Sequence, residues 1–357
     1  MAVPKRKIAL VLALLFAAAA SYGIDQVLTT TVSRYDQAIS YTKTRATFNP
    51  IRTIEVRSAP ELRLAIANLR PGDLVKATAD FTVSSSSSDA LVIKNRLGAP
   101  AVIDLTEHTV EIVYSGGKND NAVLLDNPKN VRIYGGDLST SDTGGDCLRS
   151  YGGQRVTWWY LTAHDCGGTG ADFLGGQAPT EHDDFNGTIW KIGQNLARDP
   201  HAEKGTGLHC VNMDDNNVYP FRHNRFAFYC HDISSGAAIQ YGAAHRAGPK
   251  PVRNVIYLRA VNLTALAQSQ TGANGIQFWG VDGQSAEVKF IQVDNAKGYA
   301  LWDGGMNSGT SLSGVTVVEG HASRTNQNPR YAGQNPWSDR RGEIYQTVAP
   351  APERGRP

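Results

Sequence analysis

The feature of this sequence that most constrains its fold is a strand-corner-strand pattern that recurs along the chain. In residues 121–139 a short apolar strand from Ala122 to Leu125 leads into a polar corner rich in Asp, Asn and Lys. A second strand then alternates apolar and polar side chains as far as Gly135-Gly136. Alternation with a period of two indicates a half-buried strand, and the corner is too short for a helix. The unit therefore predicts a chain that turns sharply and pairs again.

Similar units follow this one. Alternating strands are predicted to begin near Val131, Val156, Thr188, Asn224, Asn254 and Glu287. Short second strands are predicted over Cys147–Ser150, Asp172–Leu174, Leu208–Val211, Ala238–Tyr241, Gly275–Trp279 and Ala300–Trp302. Because one unit cannot bury its own apolar face, stacked units must share a core. The sequence thus predicts an all-β fold, a right-handed parallel β-helix that forms a solenoid.

The amino terminus has the features of a secretory signal. Lys5, Arg6 and Lys7 precede an uncharged run that is shorter than the roughly 20 apolar residues of a membrane span. We expect export, or a cell-surface location if this segment is an uncleaved anchor, and no stable membrane insertion otherwise. The predicted organisation is a signal peptide over 1–24, an extension over 25–52, a solenoid with a short amino-terminal capping helix over 53–348 and a disordered tail over 349–357.

The charge of the chain excludes one class of partner. The formal net charge of +2 is too small for a nucleic-acid-binding protein, which needs a concentrated basic surface. The long face of a solenoid instead suits a linear polymer. We therefore expect a monomer that binds a polysaccharide and no nucleic acid.

Four cysteines, at positions 147, 166, 210 and 230, lie in a chain that is expected to be exported. Disulfides form in that compartment. Pairing Cys147 with Cys166 and Cys210 with Cys230 would link neighbouring turns of the solenoid, although four cysteines allow three connectivities and free thiols in the core are the alternative. None of the spacings has the close Cys-x-x-Cys form of a zinc site.

Residues 59–69 predict an amphipathic helix, because apolar residues from Leu62 to Leu69 recur at helical spacing before an R-P-G-D breaker. The sequence E-L-R-x-A-I-x-x-L, followed by R-P-G-D and an apolar strand, resembles the amino-terminal cap of pectate-lyase-like β-helix proteins, in particular the chondroitinase-B and alginate-lyase type. The resemblance implies a helix that covers the first turn of a solenoid. It implies no catalytic residue, because the reaction motifs of polygalacturonases and alginate lyases are not matched and function lies in sites grafted on folds.

Candidate catalytic residues gather between positions 204 and 231, where polar side chains are dense. If Cys210 and Cys230 lie on adjacent turns, strand alternation exposes His209 beside Tyr229. A β-elimination lyase must neutralise a uronate carboxylate, remove the proton at C5 and protonate the leaving oxygen. In this hypothesis His209 is the base and Tyr229 the acid, and the neutralising cations are Arg222, Arg225 and Lys204.

Two other hypotheses remain open. A glycoside hydrolase needs two carboxyl groups that flank the scissile bond, and Asp214 or Asp215 with Asp183 or Asp184 could supply them. The run Asp-Asp-Asn-Asn at 214–217 is also typical of a solvated turn. The third hypothesis is a non-catalytic glycan-binding protein.

Two further sets of residues are candidates for binding. Asp183 and Asp184 are candidate ligands for Ca²⁺, whose ligands are oxygens. The candidate substrate-binding residues are His231, Gln240, Gln277 and Trp279. The repeat of His-Asp at 164–165 and 231–232 also favours a structural role for His231.

Overall fold

The structure, a computed structural model, describes most of the chain from Phe48 onward. The described residues are 48–117, 120–140, 145–174, 178–192, 209–213, 219–234, 236–242, 251–264, 273–279, 286–296, 298, 300–303, 315–317, 320–323 and 344–345. The predicted signal peptide, most of the predicted extension and the predicted tail lie outside them.

The described residues form one helix and 26 short strands. The helix, α1, spans Ala59–Ala67. The strands in chain order are β1 Arg52–Val56, β2 Asp73–Ala77, β3 Phe81–Ser85, β4 Leu91–Ile93, β5 Arg96–Leu105, β6 Val110–Tyr114, β7 Val123–Leu125, β8 Lys129–Gly135, β9 Asp137–Ser139, β10 Leu148–Ser150, β11 Gly153–Gln154, β12 Thr157–Cys166, β13 Ala171–Phe173, β14 Thr180–Glu181, β15 Asp184–Ile192, β16 Val211–Met213, β17 Phe221–Arg222, β18 Arg225–Ile233, β19 Ile239–Gly242, β20 Asn254–Leu263, β21 Ile276–Trp279, β22 Ala286–Ala296, β23 Leu301–Asp303, β24 Val315–Val317, β25 Gly320–Ser323 and β26 Ile344–Tyr345.

The strands assemble into two sheets, of 18 and eight strands. In the eight-stranded sheet β4, β7, β10, β13, β16, β19, β21 and β23 follow one another, and every neighbouring pair is parallel. The longer strands β8, β12, β15, β18, β20 and β22 pair in parallel in the 18-stranded sheet. Of the described pairs, β25 with β26 alone is antiparallel. The predicted all-β class and its parallel pairing are confirmed.

Inward side chains of both sheets form one hydrophobic core. Phe173 of the eight-stranded sheet packs against Phe185 and Phe226 of the other sheet, with ring centroids 4.6 and 5.1 Å apart. Each fully buried phenylalanine stabilises the fold by about 1.5–3 kcal/mol. The predicted inward orientation of Phe226 and Phe228 is confirmed, since both are fully buried. Alternate residues of the long strands therefore point outward.

Two disulfides join Cys147 to Cys166 and Cys210 to Cys230, as the sequence predicts. All four cysteines are buried. In each pair the first cysteine immediately precedes a strand of the eight-stranded sheet, and the second lies on the next long strand of the other sheet. Each disulfide thus closes a loop within one repeat. The predicted pairing is confirmed, but the expectation that it links neighbouring repeats is wrong.

The predicted helix is confirmed as α1. Pro60 occupies its first turn, and the carboxylate of Glu61 accepts a hydrogen bond of 2.6 Å from the backbone N–H of Arg57. Proline has no N–H group at a position where that group would be unpaired, and Glu61 pairs a backbone N–H just before the helix. Leu62, Ala65 and Ile66 form the buried face. No described helix has the length and apolar character needed to cross a bilayer.

Left-handed backbone conformations form two columns that run from repeat to repeat. The first column, near the ends of the long strands, is Asp165, Lys191, Asp232, Asn262 and Asn295, with φ of 49°, 55°, 57°, 59° and 54°. The second column, just before the long strands, is Asn130, Arg155, His182, His223 and Arg253, with φ of 56°, 56°, 58°, 59° and 53°. The left-handed conformation costs most residues roughly 1–2 kcal/mol, and asparagine adopts it more readily.

A ladder of buried polar side chains, which we call the inner ladder, lies beside the second column. It consists of Asp183, Asn224 and Asn254. Oδ1 of each accepts a hydrogen bond from a backbone N–H of the preceding repeat, and these donors are Val156 at 2.8 Å, Asp183 at 3.0 Å and Asn224 at 3.0 Å. The ladder therefore satisfies backbone groups at a corner that no sheet hydrogen bond reaches.

The two asparagines of the inner ladder also donate from Nδ2. Asn224 donates to the carbonyl of Thr180 at 3.0 Å, and Asn254 donates to the carbonyl of Phe221 at 3.2 Å. Asp183 has no amide, and within the described part of the chain its buried Oδ2 has no hydrogen-bond partner. Burial raises the pKa of Asp183 well above its usual value. A protonated Asp183 is the form that matches its asparagine neighbours.

Candidate active site

A stripe of histidine and aromatic side chains lies on the outer face of the 18-stranded sheet. It consists of His164 on β12, Trp190 on β15, Tyr229 and His231 on β18 and Arg259 on β20, and we call it the histidine stripe. Trp190 pairs in register with both histidines, and Tyr229 pairs with Arg259. All five residues are partly exposed. A ligand lying on this face could contact them.

His231 has the hydrogen bonding of a general base. Its Nδ1 lies 2.8 Å from Oδ2 of Asp232, which follows it in the left-handed conformation. The hydrogen bond from His231 lowers the pKa of Asp232, so this carboxylate stays ionised and holds the proton of the ring on Nδ1. Within the described residues Nε2 of His231 makes no hydrogen bond. That nitrogen is therefore free to accept a proton from a ligand.

Tyr229 and Arg259 lie beside His231. The rings of Tyr229 and His231 have centroids 4.9 Å apart, and Cζ of Arg259 lies 5.3 Å from the centroid of the Tyr229 ring. Nε of Arg259 is buried and has no hydrogen-bond partner among the described residues. The contact with the ring face is a cation–π interaction, which fixes the guanidinium without neutralising it. This guanidinium can still bind a carboxylate.

Trp190 fixes the orientation of the two histidines. Its ring lies between them in a stack, with a centroid 4.8 Å from that of His164 and 5.7 Å from that of His231. The planes of Trp190 and His231 differ by only 2°. The stack limits rotation of the His231 ring, so that Nε2 keeps one direction.

His164 differs from His231 because both of its ring nitrogens face carboxylates. Nδ1 lies 2.7 Å from Oδ2 of Asp165, and Nε2 lies 3.3 Å from Oδ1 of Asp137. The hydrogen bond to Asp137 and that to Asp165 raise the pKa of His164 to about 8, although burial opposes them. His164 is therefore positively charged at neutral pH and has no free nitrogen, which makes it a structural residue.

We expect the ring protons of His164 to titrate with a pKa of about 8, and at lower pH in an Asp137→Asn variant. Because folding favours the charged form, its contribution to stability is complete below the ordinary value of 6.5 and is lost as pH rises through 8. NMR titration of the histidine ring protons measures the pKa of His164 in the wild type and in the variant. An unchanged His164 titration in Asp137→Asn would contradict the assignment.

His209 does not belong to the histidine stripe, so the prediction that it is exposed beside Tyr229 is wrong. His209 precedes β16 of the eight-stranded sheet and is only 4% exposed, whereas Tyr229 lies on β18 of the other sheet. Burial lowers the pKa of His209 to about 4. The prediction failed because the disulfide between Cys210 and Cys230 crosses the core and does not join neighbouring strands. A buried neutral imidazole at this place is not a base for a surface ligand.

His209 instead belongs to a second ladder, which we call the outer ladder. Its Nδ1 accepts a hydrogen bond of 3.0 Å from the backbone N–H of Ala237 in the next repeat. Carboxylate or amide oxygens do the same in earlier repeats. The side chain of Asp89 accepts from the backbone N–H of Asn121, that of Asn121 from Asp146, and that of Asp146 from Thr169. The role of His209 is therefore that of an acceptor for the backbone.

The predicted neutralising arginines already bind carboxylates of this chain. Nε of Arg222 donates to Glu181 at 2.7 Å, and Nη1 of Arg225 donates to Asp184 at 2.8 Å. Arg225 is partly exposed on the outer face. Lys204, Asp214 and Asp215 lie outside the described residues.

Asp183 and Asp184 point to opposite sides of the sheet. Asp183 belongs to the inner ladder, whereas Asp184 binds Arg225 on the outside. Burial raises the pKa of both carboxyls. They cannot share a cation, so the expectation of a Ca²⁺ site formed by this pair is wrong. Across the described ranges, no group of three or more His, Cys, Asp or Glu residues has the arrangement of a metal site.

Gln240 and Gln277 occupy equivalent places on neighbouring strands, as the sequence predicts. They continue a row on the eight-stranded sheet that also contains Arg149, Asp172 and Asn212. Gln277 is fully buried and therefore does not face a polymer at the surface. Trp279 ends β21, and its side chain lies outside the described part of the structure.

One pair of neighbouring carboxyl groups, Asp172 of this row and Asp146 of the outer ladder, can be compared with the pair that a glycosidase uses. Burial and repulsion from Asp146 raise the pKa of Asp172 well above its usual value. Arg149 lies 2.5 Å from Asp146 and 3.4 Å from Asp172, so the two carboxyls share one guanidinium. A glycosidase needs carboxyls about 5–9.5 Å apart with the sugar between them. This pair leaves no room for a sugar and does not support hydrolysis.

Sequence analysis missed Trp190, Arg259 and the role of Asp232. The relation between these residues is visible only in the structure. His164, Trp190, His231 and Val261 each precede a residue of the first left-handed column and lie in one row.

Comparison with known proteins gives a similarity to solved structures and no family match. No protein family and no curated protein matches this chain. Among solved structures, the chain is similar to an alginate lyase from Paenibacillus sp. str. FPU-7, with 12% sequence identity and a TM-score of 0.38. The similarity covers 78% of this chain and 96% of that one.

Proposed function

We propose that this protein is exported, folds as a right-handed parallel β-helix and cleaves a uronate-containing polysaccharide by β-elimination at the histidine stripe. The observation that carries the proposal is the group formed by His231, Tyr229 and Arg259. No described residue binds Nε2 of His231, whose ring is held in one orientation. Tyr229 supplies a phenol beside it, and Arg259 supplies a cation beside the phenol.

Each residue matches one requirement of the reaction. Nε2 of His231 removes the proton from C5 of the uronate. The electron pair of that C–H bond forms the double bond between C4 and C5 as the bond from C4 to O4 breaks, and the hydroxyl of Tyr229 donates its proton to O4. The proton on His231 then returns to the phenolate through solvent. General acid and general base catalysis of this kind each contribute about 10²–10⁴-fold.

Arg259 makes the C5 proton removable. The negative charge that develops on loss of this proton spreads into the adjacent carboxylate, and a guanidinium stabilises it there. A fork of N–H donors binds a carboxylate through two parallel hydrogen bonds. Arg259 fits this role better than Arg222 or Arg225, because those two already bind Glu181 and Asp184.

The polymer would lie across neighbouring strands of the outer face. Strands are about 4.8 Å apart, so Trp190, His231 and Arg259 extend over three repeats and reach successive sugars. The edges of Trp190 and Tyr229 offer apolar contacts to sugar rings. Asp232 and Trp190 act through His231 and are positioning residues.

The test uses the purified protein with alginate, polygalacturonate, methyl-esterified pectin and a neutral glucan, each with and without calcium. Ultraviolet absorbance of unsaturated uronate and new reducing ends are read in the same wells. Both signals should rise with a free-acid polymer and neither with the glucan. The ester should react more slowly, since Arg259 then faces an uncharged group.

Two outcomes would contradict the proposal. Reducing ends without ultraviolet absorbance would indicate hydrolysis, and the reaction would have to be sought at other carboxyl groups. Silence in both signals across the panel, with polymer binding retained, would favour the non-catalytic glycan-binding hypothesis.

A further inference from the structure

The second left-handed column has an unusual composition. Its first member, Asn130, is buried and donates from Nδ2 to the carbonyl of Leu97 at 2.7 Å, which is the structural use of asparagine at such a corner. The next four members are Arg155, His182, His223 and Arg253, and all four are exposed. We call these four residues the cationic ridge.

The first left-handed column provides an internal comparison. Four of its five members are Asp or Asn, and they bind one another, with Asn262 donating to Asp232 at 3.0 Å and Asn295 to Asn262 at 2.7 Å. Both columns impose the same backbone conformation. Arginine does not stabilise the left-handed conformation, because its side chain does not form the local hydrogen bonds that an asparagine side chain forms. Strain that is retained without a structural gain points to a function of the side chain.

The four side chains of the ridge are exposed, and its two histidines are in contact. The rings of His182 and His223 are stacked, with centroids 5.2 Å apart and planes 7° apart. Burial and the neighbours His182, Arg253 and Arg222 lower the pKa of His223, while Glu181 opposes them. Neither Arg155 nor Arg253 forms an ion pair with a described residue. Among the described residues, the two arginines of the ridge are thus charges that no carboxylate neutralises.

We propose that the cationic ridge is a second binding site, for a linear polysaccharide that carries one carboxylate per sugar. The choice of polymer rests on the proposed function. Neighbouring members are one strand spacing apart, about 4.8 Å, which is close to the repeat of such a polymer. The ridge therefore presents an arginine at each end, and two imidazole rings between them, to about four successive sugars.

The ridge is separate from the histidine stripe. His223 lies at the corner before β18 and precedes Tyr229 by six residues, so at about 3.3 Å per residue the two sites are at most about 20 Å apart. A polymer held on the ridge is held near the stripe without occupying it. Binding at both sites would raise the effective concentration of the polymer at the stripe.

The test compares two double variants that remove the same charge. Arg155→Asn with Arg253→Asn changes the ridge, and Arg57→Asn with Arg70→Asn changes two exposed arginines at the amino-terminal end. Binding of polygalacturonate and alginate is measured by affinity electrophoresis at low and moderate salt. The ridge variant should bind at least tenfold more weakly with a shallower salt dependence, whereas the control should bind like the wild type.

Stability separates loss of the site from loss of the fold. Asparagine suits the left-handed conformation, so the ridge variant should have an unfolding temperature equal to or above that of the wild type. Cleavage of a short oligouronide should keep its rate, while KM for the polymer rises and kcat does not change.

Four results would contradict the proposed binding site on the ridge. The first two are an equal loss of polyuronate affinity in both double variants and no loss in either. The others are no polyuronate binding by the wild type and equally strong, ridge-dependent binding of single-stranded DNA. Failure of the proposed function can be distinguished from failure of the ridge proposal, because binding is measured without cleavage. Ridge-dependent binding without any cleavage would refute only the lyase, and cleavage with ridge-independent binding would refute only the ridge.

Discussion

Replacing His231 with asparagine is expected to lower kcat for uronate cleavage by a factor of about 10²–10⁴. Asparagine can still donate to Asp232 from its amide, but it has no nitrogen that can accept the C5 proton. The polymer should bind as well as before, so KM should change little. Initial rates of the ultraviolet absorbance at saturating polymer measure the effect.

His164→Asn is the matched control for this prediction. It removes the same kind of ring from the same row, on the other side of Trp190. Because both nitrogens of His164 are engaged by Asp137 and Asp165, its loss should change kcat by no more than a few fold. Equal losses in the two variants would indicate that the stack only supports the fold, and the base would then lie elsewhere.

Replacing Asp183 with asparagine is expected to stabilise the protein at neutral pH by about 1–3 kcal/mol, the usual cost of a buried polar group without a partner. The new amide can donate to a backbone carbonyl, as those of Asn224 and Asn254 do. The folded state raises the pKa of Asp183, so the wild type loses stability as pH rises above the ordinary value for aspartate. The gain from the substitution should therefore shrink toward zero near pH 3.

Chemical denaturation of both proteins at several pH values measures this difference. Asn224→Asp is the opposite change one repeat further along the inner ladder. It should destabilise the protein at neutral pH and recover part of that loss in acid. A stability gain in Asp183→Asn that did not depend on pH would contradict the raised pKa of the buried Asp183 carboxyl.

The sequence allowed the strands to be predicted because large apolar side chains recur at every second position over much of their length. In β18 the apolar residues Phe226, Phe228 and Cys230 point inward, so the outward positions of Tyr229 and His231 follow from the period alone. The capping helix was predictable from its apolar spacing and from the R-P-G-D that follows it. These are local patterns, which a single sequence contains in full.

The register between repeats could not be predicted, and the candidate site depends on it. Thr188 pairs with Tyr229, 41 positions later, whereas Tyr229 pairs with Arg259 after only 30. Because the repeats differ in length, the pairing of Arg259 with Tyr229 cannot be predicted from a constant spacing. His209 was misplaced for a related reason. It lies at a corner, where Cys210 and Val211 are both buried in succession and alternation no longer holds.

The two polar ladders have opposite directions along the chain. In the outer ladder a side chain of one repeat accepts a backbone N–H of the next, whereas in the inner ladder it accepts one from the repeat before. For a chain whose repeats fold in order from the amino terminus, the outer ladder offers each new repeat an acceptor that is already in place. The inner ladder binds a repeat only after its successor has folded. In that order of folding, the last repeat added has its outer-ladder contact and lacks its inner-ladder contact.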